Sequence, residues 1–319
     1  MRILALVPGG IGDQILFFPT LADLKTQYPN AYLDVIVEPR AKTAYRVCPS
    51  VHEVLTFDFK DRNSLAEYLN LLGTIRDREY DLAVTLGQRW TVGALLWLNG
   101  IPARIGYETK PGWFLSSMVP LKTEQYAAHM YHDLLQGLGH LKPCPPLAVA
   151  LPSNDIEWAE AEQRRLDIKE SGYVLIHGGA SKLSQQKGIE KIYPVASWQK
   201  IIASFQEKQP DLPLVLLKGP EDQEWIAQMQ AKAPNLKVVS PPDIGKLAAF
   251  QAAANLMLCT DSAPMHLAIA VGTPTFALFG PTCANKLMPD DARFVGIQSP
   301  TDAIADIKPE SILEKIWGA

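Results

Sequence analysis

Residues 260–270, Thr-Asp-Ser-Ala-Pro-Met-His-Leu-Ala-Ile-Ala, place a carboxylate (Asp261), a hydroxyl (Ser262) and an imidazole (His266) close together along the chain. A largely apolar run at 255–259 precedes them and another at 274–279 follows, so the segment reads as strand, tight turn, helix and strand. Ser262 is placed to cap the helix, and Pro264 suits its first turn, where no backbone N–H is needed. Free N–H groups and the positive dipole end at such a helix start bind phosphate well. Asp261 and His266 flank that point, so the pattern predicts a site for a phosphorylated ligand.

Three further polar turns follow apolar runs. Gly9-Gly10-Ile11-Gly12-Asp13 comes directly after the first run, but the dinucleotide pattern G-x-G-x-x-G fails because Ile15 stands where its third glycine belongs. The Gly-Lys-Ser/Thr of nucleotide triphosphate loops is missing too. What remains is Asp13 at the mouth of a strand, suited either to act as a base or simply to cap the first helix. His177-Gly178-Gly179-Ala180-Ser181 offers small residues and a hydroxyl for a second phosphate-binding turn. Lys182, Lys187 and Lys191 follow it, and any one of them alone would be a solvated surface charge. Lys218-Gly219-Pro220-Glu221 ends another strand, where Glu221 alone would be an acid favoured by the helix dipole. His266 alone would be structural, since no Ser-His-Asp order, H-E-x-x-H or other metal spacing accompanies it.

To bring these turns together, the strands before them must end on one side of a sheet. Arg2–Val7 is a continuous apolar run fit for a central parallel strand, and further strands are expected at 33–37, 54–59 and 82–86. Helices are expected from the first turn to about Tyr28, and at 64–78, 92–99 and 123–138. Pro19 is expected to kink the first helix or divide it in two. Residues 142–152 hold four prolines and no helical period, which marks a linker. Beyond it, strands at 173–177, 214–217, 237–239, 255–259 and 275–279 alternate with helices at 194–208, 221–232 and 244–253, another after Asp261, and a last one at 309–317. The fold class is therefore α/β, with two doubly wound Rossmann-like domains, 1–150 and 151–319, facing each other across a cleft. The final helix is a candidate to pack back on the first domain.

A chain of 319 residues, 47% hydrophobic and 20% charged, is ordinary for a soluble protein of two domains. Its formal net charge of -4 argues against nucleic-acid binding, which normally needs a basic surface. The longest apolar stretch is cut by Gly272, Thr273 and Pro274, so no segment is expected to span a bilayer, and the first ten residues read as a strand rather than a signal peptide. Cys48, Cys144, Cys259 and Cys283 lie far apart, a spacing that predicts neither a disulfide framework nor a metal site and fits a reducing cytosol.

Over nearly its whole length the chain resembles glycosyltransferase family 9, the ADP-heptose:lipopolysaccharide heptosyltransferase family. The resemblance rests on G-G-I-G-D at 9–13, Tyr28-Pro29-Asn30-Ala31, I-P-A-R-I-G-Y at 101–107, the H-G-G-A-S turn, Lys191-Ile192-Tyr193-Pro194 before Trp198, and the 219–221 turn. Its most specific part is T-D-S-A-P-M-H-L-A-I-A-x-G-T-P, ending in A-L-F-G-P at 277–281. It implies the GT-B fold and an inverting transfer of a sugar, heptose being a candidate, from an ADP-linked donor to a lipopolysaccharide or other cell-envelope glycan. The first domain would bind the acceptor and the second the nucleotide sugar.

On the same resemblance Asp13 would be the general base. Gly12, Ser181, Lys191, Glu221, Asp261, Ser262, Ala263 and His266 would surround the donor. Lys191 would neutralise the diphosphate, with Lys182 and Lys187 as alternatives; Ser181 would bond a phosphate and Glu221 the ribose. Ala263 stands where the family commonly has glycine. No cofactor or metal is implied. The expected partners are the nucleotide-sugar donor and a glycan or lipid-linked acceptor, with no nucleic acid. Arg40, Arg62, Arg89 and Arg104 are candidates to meet acceptor phosphates. Trp90, Trp97 and Trp113 are candidates to meet sugar or lipid, although core packing is expected for at least two of them. The expected location is the cytoplasm, with transient peripheral contact at the inner membrane surface. Two other readings stand beside this one: a nucleotide-sugar hydrolase or epimerase of the same fold, and a non-catalytic nucleotide-sugar-binding protein. A Rossmann oxidoreductase is disfavoured by the failed glycine pattern.

Overall fold

The computed structural model describes residues 1–59, 63–179 and 191–318. Ser181, Lys182, Lys187 and Arg62 lie outside the described residues. The chain divides into two compact units, Met1–Ala150 and Leu151–Ala319.

The first unit alternates β1 (Arg2–Val7), α1 (Ile11–Gln27), β2 (Tyr32–Val37), β3 (Glu53–Thr56), α2 (Leu65–Arg76), β4 (Leu82–Thr85), α3 (Trp90–Leu98), β5 (Ala103–Tyr107), β6 (Ser117–Val119) and α4 (Ala127–His132). Its six strands are all parallel, in the order β3-β2-β1-β4-β5-β6. β1 is buried from Ile3 to Val7, which is why its sequence is apolar without alternation. The order reverses between β1 and β4, so the crevice at their carboxyl ends is the natural binding position of this unit.

Three expectations for this unit are corrected. α1 is one helix from Ile11 to Gln27 with Pro19 inside it, so the division in two does not occur. Its residues from Gln14 to Leu21 are all buried, and that packing outweighs the backbone bond lost at proline. The helix expected at 123–138 is only α4, followed by a 3-10 turn, Asp133–Leu138, that stops at Gly139 in the left-handed region. Asp133, the first residue of that turn, accepts from Gln125 Nε2 and Gln136 Nε2. Trp90, Trp97 and Trp113 are not core residues: they are 45%, 45% and 63% exposed. Their rings meet one another and Phe114 on the surface, with Trp113 and Phe114 centroids 3.7 Å apart.

The second unit opens with α5 (Ser153–Arg165) and continues as β7 (Val174–His177), α6 (Val195–Lys208), β8 (Leu214–Leu217), α7 (Gln223–Lys232), β9 (Lys237–Val239) and α8 (Ile244–Ala252). It closes with β10 (Leu256–Thr260), α9 (Ala263–Ala270), β11 (Thr275–Phe279), α10 (Ala284–Leu287), β12 (Phe294–Gln298) and α11 (Pro309–Trp317). The strand order is β12-β11-β10-β7-β8-β9, again all parallel. Numbered within its own unit this is 6-5-4-1-2-3, the same winding as the first sheet, with its reversal between β7 and β10. Apolar clusters cover both faces, one built on Leu175, Val215 and Met257, the other on Val174, Ile176 and Leu258. The last helix, α11, packs on α6 of its own unit, where Trp317 lies against Phe205 and donates to Ser204 Oγ.

Candidate functional site

In the second unit the chemistry-bearing turns gather at the carboxyl ends of the two strands that flank the reversal. β7 ends at His177, β10 ends at Thr260, and Cys259 pairs with His177 across the two strands. Asp261 and Ser262 leave β10 and lead into α9. Lys191 Nζ donates to Asp261 Oδ2 over 2.5 Å, and Thr282 Oγ1, from the loop after β11, donates to the same oxygen over 2.7 Å. Lys191 and Asp261 are 17% and 6% exposed at their side chains, so the pair is poorly screened. An ammonium group is thereby fixed at the start of a helix, where the dipole adds to its field.

Ser262 holds the cap position of α9, but its hydroxyl does not cap it. Instead Oγ lies 3.2 Å from Thr260 O and 3.2 Å from His177 Nδ1. His177 Nε2 lies 3.1 Å from Asp222 Oδ2, which also accepts from the Gly219 N–H over 2.7 Å. With Nε2–H committed to the carboxylate, a neutral His177 accepts the Ser262 proton on Nδ1. A charged His177 donates from both nitrogens and turns that proton toward Thr260 O. A Ser262–His177–Asp222 chain thus sets the serine's hydrogen-bonding direction, a constellation hidden in the sequence because its members come from three separate turns.

Asp222 is a residue of this group that sequence reasoning does not point to: it lies directly after the exposed Glu221 in the same turn and bonds His177. The local signal is steric. A β-carbon at Gly179 would lie 1.7 Å from Asp222 Oδ1, so that turn closes on the carboxylate only with glycine there. Ala263 opens α9 and is partly exposed, whereas His266, one turn further, is 4% exposed.

Burial pushes the Asp222 carboxyl up, but the hydrogen bond and charge of His177 and the Gly219 N–H outweigh it and hold its pKa below the ordinary 3.8. A carboxylate lowered in the folded state stabilises the fold above its unfolded value, and that contribution is lost as pH falls through the folded one. Asp222→Asn is therefore expected to melt below wild type at neutral pH and to converge on it as pH falls below about 4. Thermal melts over that range test this; a constant gap at every pH would show that Asp222 ionisation contributes nothing.

In the first unit, Gln14 Nε2 donates to Val7 O over 3.0 Å and Tyr45 OH donates to Gln14 Oε1 over 2.7 Å, tying the start of α1 to the end of β1. Gly12 and Asp13 stand in the first turn of that helix. Asp13 Oδ2 accepts from the Gly10 N–H over 2.7 Å, so the carboxylate does cap the helix start. Its other oxygen receives Tyr131 OH at 3.3 Å. Burial, and after it the Asp13 charge, push the Tyr131 hydroxyl well above its ordinary value, so it remains a donor. Gly9 has φ +130°, and a β-carbon there would lie 2.3 Å from Asp13 Oδ2. Capping leaves Oδ1 with lone pairs to spare, so both roles raised for Asp13 fit the same geometry.

Of the arginine candidates, Arg40 bonds Glu38 over 2.9 Å, and a β-carbon on Gly10 would lie 3.8 Å from Asp13 Oδ2 and 3.9 Å from the Arg40 guanidinium. Arg104 is spent on backbone carbonyls of Ile101, Pro102 and Phe114, a structural use. No helix among the described residues is long and apolar enough to cross a membrane.

The profile of glycosyltransferase family 9 (heptosyltransferase) matches residues 68–317. The chain is similar to the photosynthetic NDH subunit of subcomplex B 1, chloroplastic, of Arabidopsis thaliana, at 24% identity over 96% of this chain and 71% of that one. It is also similar to lipopolysaccharide heptosyltransferase 3 of Escherichia coli, at 26% identity over 85% of this chain and 81% of that one. Among solved structures, an E. coli heptosyltransferase with ADP-2-deoxy-2-fluoro heptose aligns at a TM-score of 0.76 and 17% identity, over 100% of this chain and 99% of that one. That likeness identifies the two doubly wound sheets as the GT-B fold.

Proposed function

The chain belongs to glycosyltransferase family 9, and from that premise we propose an inverting transfer of heptose from an ADP-linked donor to a lipopolysaccharide or related cell-envelope glycan. The observation that carries this reading is the Lys191–Asp261–Thr282 group at the start of α9, at the sheet's point of reversal. ADP and heptose are suggested by the ligand named with the E. coli structure, and the acceptor by the name of the E. coli relative.

In the proposed reaction Asp13 takes the proton from an acceptor hydroxyl as that oxygen bonds to the anomeric carbon. The bond from that carbon to the diphosphate oxygen breaks on the opposite face, and its electron pair leaves with the diphosphate. Lys191 and the first N–H groups of α9 meet the charge that grows there. Ser262, oriented by His177, supplies a further polar contact, and Glu221 is retained as the ribose partner. This chemistry calls for no metal or cofactor. A transient contact with the inner membrane surface belongs to the same reading, supported by the exposed Trp90, Trp97 and Trp113 beside Leu98 and Met118.

The Arabidopsis relative is named as a subunit of a photosynthetic complex, and a non-catalytic reading stands as the alternative to be tested. Asp13, Lys191 and Asp261 together in one chain argue for the transferase. Incubation with ADP-heptose, with and without a heptose-accepting core oligosaccharide, separates the readings. ADP release that needs the acceptor, with a product of inverted anomeric configuration, is expected. Free sugar released at full rate from donor alone would replace the transferase with a hydrolase, and donor binding without turnover would favour the binding protein.

A further inference from the structure

Asp23 on α1, His132 at the end of α4 and His140 after the following 3-10 turn converge inside the first unit, with exposures of 6%, 5% and 8%. His132 Nε2 lies 2.9 Å from Asp23 Oδ2, and His140 Nε2 bonds the same oxygen. Two imidazoles thus aim the same nitrogen at one carboxylate oxygen, and the three ligand atoms all lie within 4.8 Å of one another. Asp23 and His132 stand 109 positions apart, so no sequence spacing announces the group.

We propose that Asp23, His132 and His140 form a binding site for a divalent cation of the zinc type, with water as the fourth ligand. The donor set is two imidazole nitrogens and a carboxylate oxygen, which suits zinc and disfavours magnesium or calcium, whose ligands are oxygens. Tetrahedral bonds of about 2.0–2.1 Å require ligand atoms roughly 3.3 Å apart, so the two imidazoles must draw back from the carboxylate oxygen to admit the ion. On binding, each histidine carries its remaining proton on Nδ1. The ion would fasten α1 to the segment that leads out of the first unit, a structural role independent of the transfer reaction.

The test uses the full chain without a metal-binding tag, loaded with Zn²⁺, dialysed against metal-free buffer and assayed for metal. About one zinc per chain, lost with a fall in melting temperature on chelation and absent from His140→Gln, is the expected result. Co²⁺ replacement is expected to give tetrahedral visible bands that His140→Gln removes. If wild type retains no zinc and chelator leaves its melt unchanged, or if His140→Gln binds zinc equally well, the site is overturned and the cluster is a hydrogen-bonded one only. Should His140→Gln fail to fold, the wild-type metal content and melt still decide.

Discussion

Asp13→Asn is expected to lower the rate of sugar transfer by about 10²–10⁴-fold, the usual contribution of a positioned general base. The substitution separates the two roles the carboxylate holds. An asparagine oxygen can still accept from the Gly10 N–H, so the cap of α1 survives, whereas alanine would lose it at a cost of about 1 kcal/mol. Asparagine cannot take a proton at neutral pH. The predicted variant therefore melts near wild type and binds nucleotide as wild type does, because Lys191, Asp261 and Thr282 belong to the other unit. Turnover alone falls. Transfer by a folded Asp13→Asn protein at close to the wild-type rate would reduce Asp13 to its capping role.

Lys191→Ala has the second large effect, a loss of about 10²–10³-fold in kcat/KM for the donor. Two terms act in the same direction. The cation that meets the leaving diphosphate is gone, and Asp261, 6% exposed, keeps a charge that now faces the phosphates with only Thr282 to offset it. Removing that residual charge as well separates the terms: Lys191→Ala/Asp261→Asn is expected to bind donor better than Lys191→Ala alone, with turnover still depressed. Steady-state kinetics with ADP-heptose measures both. Unchanged kinetics in Lys191→Ala would transfer the diphosphate role to Lys182 or Lys187.

What the sequence disclosed follows from the kind of signal each feature leaves. Buried parallel strands such as Arg2–Val7 and Leu256–Thr260 are apolar runs, and the turns after them carry the polar residues, so both sheets and the placement of Asp13 and Asp261 were legible. Two edge strands, Ser117–Val119 and Phe294–Gln298, and the inner Ala103–Tyr107 were not, being mixed in polarity, whereas the edge strands Glu53–Thr56 and Lys237–Val239 were. α5 escaped because its inward stripe is Asp155, Ala159 and Gln163, helically spaced but scarcely hydrophobic. Pro19 misled because local preference yields to a buried helix.

The candidate site divides in the same way. Asp261 and Ser262 are read from one local motif. Lys191 was selected by resemblance, and its bond to Asp261 spans 70 positions that no periodicity reports. His177 and Asp222 are joined across 45 positions, and Thr282 reaches Asp261 from the loop after the next strand. Glycines 178 and 179 marked a tight turn, but the aspartate enclosed by that turn becomes visible only in three dimensions.

The claim at the centre of this account is that the Lys191–Asp261 group holds the diphosphate of an ADP-linked donor. A thermal-shift panel with ADP, UDP, GDP, CDP, TDP and NAD, on wild type and Lys191→Ala, tests it most directly. A ligand at about a hundred times its dissociation constant adds roughly 2.7 kcal/mol of stability, well within reach of a melt. Selective stabilisation by ADP, weakened in Lys191→Ala, is the predicted result. Stabilisation by NAD alone, by no nucleotide, or by ADP equally in both proteins would contradict it.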